Sequence, residues 1–369
     1  MSFAFEFIVK LFITMIIAMI LTPLIKLLAF KIGAADQPGE RRINKKTMPT
    51  AGGLAIYLAF CFAVLYLFRD VISYDYSVPI LAGATVVILT GLIDDIWELK
   101  PLQKTLGITL AALVVYFWAE IRIATISIPF IGKVDLGWWG LPITIIWILA
   151  ITNAVNLIDG LDGLASGVSI IALSTIGIIA YFFLKEQGVI ISIMIFALVA
   201  SIIGFFPFNF YPATIYLGDT GALFLGFMIA VFSLQGLKNA TFITVITPMF
   251  ILGVPITDTV FAMIRRYINK QPISSADKMH LHHRLLSLGF THRGAVLTIY
   301  ALALVFSFIA LLMNYASTWA IILLILSTTI GLELFIELIG LVGEDRQPLM
   351  FLLKFLGNRD FRHKVMKKK

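Results

Sequence analysis

The chain reads as an all-α integral membrane protein of about eleven transmembrane helices, and three observations predict this. Of 369 residues, 60% are hydrophobic and 13% charged, with mean hydropathy +0.99, a balance foreign to soluble globular domains. Apolar runs able to cross ~30 Å of hydrocarbon recur from end to end. Lysines and arginines gather in alternate connecting segments. With Cys61 the single cysteine, neither a disulfide framework nor a cysteine metal site fits within one chain.

The first run, Phe3 to Phe30, is too long for a signal-peptide core and has no basic stretch before it, so it is read as the first span. Further runs cover residues 50–68, 78–93, 105–119, 140–155, 164–183, 189–206, 220–235, 242–264, 294–313 and 318–340. Between the fourth and fifth, Ile121 to Leu136 is rich in β-branched residues with Pro129, Gly132 and Asp135, which predicts a short external β-hairpin without chemistry. No second domain or long linker interrupts residues 1–369.

Segments 31–49, 94–104, 265–293 and 341–369 hold 21 of the 28 lysines and arginines. This bias places the amino terminus outside and the carboxyl terminus in the cytoplasm. All five histidines fall on that cytoplasmic side. The tail joins apolar Leu349 to Leu356 to a basic end, which suits either contact with an anionic leaflet or a simple topology signal. Nothing in the charge pattern calls for nucleic acid.

The cytoplasmic loops, about 31–49, 94–104, 156–163, 207–219 and 265–293, carry the candidate chemistry. Asp94 and Asp95 end the third run, where charge is expensive unless paired, metal-bound or wet. On a helix the two diverge by about 100°, so one can bind a metal while the other positions a substrate; a solvated acidic pair is the plain alternative. Asn156, Asp159 and Asp162 recur every three residues beside Gly160 and Gly163, with no lysine or arginine nearby to neutralise them. They suit an external cation or ligand donors, against ordinary Asp-Gly turns. Asn209 opens a segment that includes Tyr216, a candidate for stacking on a base or for anchoring at the interface. It closes on Gly218-Asp-Thr-Gly221, where Asp219 either binds a hard cation or caps a helix.

Ser274 to Gly289 reads as a short helix with a capping box at Ser274 and Asp277. On it Asp277, His280, His283, Arg284 and Ser287 share one face, opposite Leu281, Leu285 and Leu288, with His282 off that face. Donors so placed suit phosphates or hydroxyls; zinc would need further ligands of the right type. In the first loop Lys46 precedes Met48-Pro-Thr-Ala-Gly-Gly53 and is the basic residue to weigh as a ligand.

Taken in order, Asp94-Asp95, Asn156 to Gly163, Asn209 to Gly221 and His280 to His283 resemble the signatures of the polyprenyl-phosphate N-acetylhexosamine-1-phosphate transferase family. The resemblance runs along nearly the whole chain. His280-Leu-His-His283 followed by Arg284 looks like the bacterial branch that initiates teichoic acid, enterobacterial common antigen and O-antigen synthesis. The peptidoglycan branch, which moves phospho-muramoyl-pentapeptide, usually shows three consecutive histidines, absent here. The resemblance implies transfer of N-acetylglucosamine-1-phosphate from UDP-N-acetylglucosamine to undecaprenyl phosphate, releasing UMP at the cytoplasmic face of the bacterial inner membrane. It implies magnesium, or manganese in its place, on Asp219 with Asp94 or Asp95 near it. By the same likeness, Lys46, Asn156, Asp159 and Tyr216 line the uridine pocket, with Asp162 in the same loop. Asn209, His282 and His283 meet diphosphate or sugar, beside His280 and Arg284. A homodimer is compatible with the sequence.

A phosphate monoester has its second pKa near 6, so the lipid phosphate needs positioning more than deprotonation, and direct attack is preferred to an aspartyl-phosphate route. The rival class is an ion-coupled transporter or flippase, for which Glu333 and Glu337, one turn apart in the last run, are the natural evidence.

Overall fold

The structure of the protein is a computed structural model that describes residues 3–37, 47–128, 132–235, 240–268, 270, 280–341 and 347–357. Its described residues are mostly helical, in chain order α1 (Phe3–Ile32), α2 (Gly53–Phe62, continued by a π-helical turn Ala63–Leu67), α3 (Tyr74–Trp97), α4 (Pro101–Phe117) and α5 (Gly140–Ile158). There follow α6 (Leu164–Phe183), α7 (Lys185–Asn209), α8 (Gly218–Gln235), α9 (Phe242–Ile251) and α10 (Gly253–Ile268). The series ends with α11 (Leu281–Ser287), α12 (His292–Met313), α13 (Thr318–Ile339) and α14 (Pro348–Gly357).

Eight helices among the described residues are long and apolar enough to cross a membrane, where the sequence counts eleven runs. The other three runs fold as shorter pieces. Gly53–Leu67 and Pro101–Phe117 are apolar but below that length, and the run 242–264 breaks at Leu252 into α9 and α10. Pro255 lacks the N–H that a continuous helix would donate to Ile251, which accounts for the break.

The bundle is built around α8, in which every residue from Thr220 to Gln235 is buried. Helices α2, α3, α5 and α6 pack against it, α7 joins α1 and α6, and α12 closes over α6 and α9. Lipid tails are as apolar as leucine, so close packing and hydrogen bonds must hold such helices together. Glycine makes the approach possible. A Cβ on Gly53 would lie 2.1 Å from Gly221 Cα, and one on Gly91 would lie 2.5 Å from Thr220 Cα.

At one end of the bundle lies the expected hairpin, β3 (Thr125–Ile128) against β4 (Gly132–Asp135), antiparallel with Thr125 opposite Asp135. A strand the sequence does not announce, β5 (Ala240–Thr241), adds to β3 in parallel. At the other end β1 (Ala35–Asp36) pairs with β2 (Met48–Pro49), bringing together the two ends of the first loop.

Candidate active site

The polar segments converge at the β1–β2 end of the bundle. Asp94 and Asp95, adjacent at the end of α3, diverge as the helical repeat requires. Asp95 meets the start of α8: its Oδ1 accepts the Asp219 N–H at 2.9 Å, and its Oδ2 accepts the Thr220 N–H at 3.1 Å and hydroxyl at 2.5 Å. Both oxygens thereby cap first-turn amides that have no partner within the helix. Gly218 permits this geometry, with φ +70° and no Cβ, which would stand 2.6 Å from Asp95 Oδ2.

Asp94 is buried and accepts the Leu99 N–H at 2.7 Å and the Lys104 ammonium at 2.7 Å. Lys104, in the first turns of α4, also donates to Asp219 Oδ2. The Asn156 side-chain amide donates to Asp219 Oδ1 at 2.8 Å. One ammonium therefore joins two carboxylates that would otherwise repel each other in a water-poor site. Lys104 is absent from the sequence reading because it is indistinguishable there from any other positive-inside charge.

Asp159 ends α5 and faces the same space. Burial, and after it the charges of Asp219, Asp95 and Asp162, push its carboxyl well above the usual carboxylate range. Asp162 accepts the Ala213 N–H at 2.9 Å, while its own N–H donates to His292 Nε2 at 3.1 Å. The His292 ring stacks on Tyr211 at 4.4 Å. Asn209 is buried; its Oδ1 accepts the Ser166 hydroxyl at 2.7 Å and its amide donates to the Ile215 carbonyl at 3.2 Å, so it shapes the loop that ends in Asp219. Tyr216 is fixed through its backbone, donating to the Pro49 carbonyl at 2.9 Å and accepting from Gly52 at 3.0 Å. Burial, then the charge of Asp162, raises its phenol to about 12.

The histidine segment folds differently from its helical-wheel reading. Helix α11 begins at Leu281, so His280 stands at its cap and not on its face. His280 Nδ1 lies 2.9 Å from Asp258 Oδ2, and the Leu281 N–H donates to Asp258 Oδ1 at 2.8 Å. Arg284 turns away to the Ile339 carbonyl at the end of α13. Neither lines the cavity; His282 and His283 do. His282, expected off the ligand face, is buried against Gly160, where a Cβ would be 2.3 Å from Nε2. Burial and then neighbouring His283 lower its pKa to about 3, so the ring is neutral at physiological pH. Gly289, with φ +92°, supplies the expected stop. Lys46, Ser274 and Asp277 lie outside the described residues.

Together these groups enclose a cavity of about 950 Å³. Its wall holds the acids Asp36, Asp94, Asp95, Glu98, Asp159, Asp162 and Asp219 and, among the described residues, no lysine or arginine. Asp36, Glu98, Tyr211 and His292 are lining residues that sequence reasoning passed over.

Residues 77–237, which include both aspartate ends of this site and Lys104, match the glycosyl transferase family 4 model. A Bacillus subtilis (strain 168) protein described as a probable undecaprenyl-phosphate N-acetylglucosaminyl 1-phosphate transferase is 41% identical over 355 residues, covering 96% of this chain and 98% of that one. The chain belongs to the polyprenyl-phosphate N-acetylhexosamine-1-phosphate transferase family. More distant members include the decaprenyl-phosphate N-acetylglucosaminephosphotransferase of Mycolicibacterium smegmatis, 34% identical over 77% of this chain and 76% of that one. The undecaprenyl-phosphate alpha-N-acetylglucosaminyl 1-phosphate transferase of Escherichia coli K12 is 27% identical over 81% of this chain and 82% of its own length. In this family member the four segments that carry the resemblance, far apart in sequence, share one cavity at one end of a multi-pass membrane bundle.

Proposed function

We propose that the chain transfers N-acetylglucosamine-1-phosphate from UDP-N-acetylglucosamine to undecaprenyl phosphate, releasing UMP, at the cytoplasmic face of a bacterial membrane. The observation that carries the proposal is the acid-walled cavity at the end of an apolar bundle. A nucleoside diphosphate can enter such a wall only with a counter-cation. The donors fit magnesium, or manganese, because carboxylate oxygens of Asp219 and Asp94 converge on one cationic group and Asn156 stands beside them. Magnesium is usually held by one or two carboxylates with waters and substrate phosphates completing its shell. Asp219, with Asp94 beside it, would hold the ion, which when bound neutralises diphosphate charge.

The chain's own groups do the rest. Asp95 fixes the first turn of α8 and so the position of Asp219. Lys104 keeps Asp94 and Asp219 together from behind the cavity wall. Neutral His282 offers hydrogen bonds to phosphate or sugar without adding charge. The lipid phosphate, already mostly dianionic at neutral pH, attacks the sugar-bearing phosphorus in line; the new P–O bond forms as the bond to the bridging oxygen breaks, and UMP leaves with that oxygen.

Glu337, which a transporter would use for ion coupling, is engaged otherwise: its oxygens accept the Leu349 and Met350 N–H groups at 2.7 and 2.6 Å. The test is UMP release by the purified chain from UDP-N-acetylglucosamine, UDP-N-acetylgalactosamine and the UDP-muramoyl peptide, each with and without lipid phosphate and magnesium. Release from the first donor alone, requiring both additions, is expected. Substrate movement without turnover would overturn the proposal.

A further inference from the structure

The last helix presents a surface that the catalytic reading does not use. Glu337, buried in the last turn of α13, caps α14 through the Leu349 and Met350 N–H groups, and the Gln347 side chain donates to the Glu337 carbonyl at 3.1 Å. The start of α14 is thus pinned at the end of a membrane-spanning helix, at the cavity's end of the bundle. Beyond that point the helix shows its apolar side chains outward. Leu349, Leu352, Leu353 and Leu356 recur at helical spacing, and Leu352, Leu353 and Leu356 are 48%, 47% and 63% exposed. The sequence that follows, 358–369, carries six lysines and arginines against the single acid Asp360.

We propose that α14 is a docking helix for the anionic lipid surface of the membrane the chain spans, its leucines entering the acyl boundary and the basic residues after it meeting the headgroups. A helix with a hydrophobic side and adjoining basic charge binds such an interface by both forces. A second copy is the weaker candidate for the same surface, since pairing α14 with itself would bring two strongly basic segments together.

The test uses the full chain with Cys61→Ser and a spin label on Leu353→Cys, reconstituted in phosphatidylcholine bilayers with and without phosphatidylglycerol. Collision with oxygen, enriched in acyl chains, is compared with collision with a water-soluble nickel chelate. With phosphatidylglycerol present the label should be oxygen-accessible and chelate-protected by several-fold. Changing Lys367, Lys368 and Lys369 to Glu should reduce that protection. A chelate-accessible label in anionic bilayers would overturn the proposal. So would protection indifferent to lipid charge and to the Glu substitutions, and so would protection that grows with protein density and brings label–label broadening, the signature of a second copy.

Discussion

Asp95 and Asp219 differ in what their oxygens still have to offer. Those of Asp95 already accept two amides and a hydroxyl at the head of α8, whereas those of Asp219 meet side chains, among them Lys104, Asn156 and Asp94. Asp219→Asn should therefore leave the melting temperature nearly unchanged and lower the transfer rate by ~10²-fold or more, the scale of losing a preorganised electrostatic group. Asp95→Asn should instead cost about 1–2 kcal/mol of stability, as loss of a helix cap does. Melting and initial rates on both variants check this; an Asp219→Asn chain of full activity would sink the assignment. His282 adds a pH dependence. Its folded pKa, about 3, lies below the ordinary 6.5, so the unfolded chain takes up the proton first as pH falls. The stability it contributes is present above 6.5 and lost on acidification towards 3, amounting to about 2 kcal/mol by pH 5. Unfolding at pH 7 and pH 5 should show that the loss shrinks in His282→Gln; an unchanged slope would refute it.

At the level of helices, the crossing of α3 and α8 sets the site. Gly91→Ala would drive a methyl group to 2.5 Å from Thr220 Cα and 2.6 Å from the Asp219 carbonyl, both backbone atoms with no room to give. The expected cost is about 1–3 kcal/mol, with a marked loss of transfer because Asp94 and Asp95 shift against Asp219. Gly331→Ala on α13, which has open space around the new methyl, should be neutral in both assays. Where elements must satisfy lipid, the sequence was a good guide: the runs 164–183 and 318–340 fold as Leu164–Phe183 and Thr318–Ile339. Membrane helices need uninterrupted apolar length, and that is visible in composition. Contacts across helices are not. Nothing in spacing tells that Asp95 would cap α8, that Lys104 would sit between two aspartates, or that α11 would start late enough to make His280 a partner of Asp258. The β3–β5 pairing escapes for the same reason, since two residues of strand leave no periodic trace.

For the whole molecule, the ends of the bundle differ in both chemistry and charge. One end holds the acid-walled cavity and the caps of α8, α11 and α14; the other holds the three-stranded sheet beside Trp138 and Trp139. Segments 31–49, 94–104, 265–293 and 341–369, whose described parts lie at the first end, carry 21 of the 28 lysines and arginines in sequence, and we propose from the positive-inside rule that this end faces the cytoplasm. The proposed nucleotide-sugar donor, made in the cytoplasm, calls for the same direction. Two highly exposed residues read it out: Trp138 at the sheet end, 93% exposed, and Tyr267 at the end of α10, 83% exposed. In a Cys61→Ser background, Trp138→Cys should react with a membrane-impermeant maleimide in intact spheroplasts, and Tyr267→Cys only after permeabilisation. The reverse pattern would place the cavity outside, away from its donor. That result would overturn the orientation even if transfer by the purified chain were intact, because detergent solution offers substrate to both ends alike.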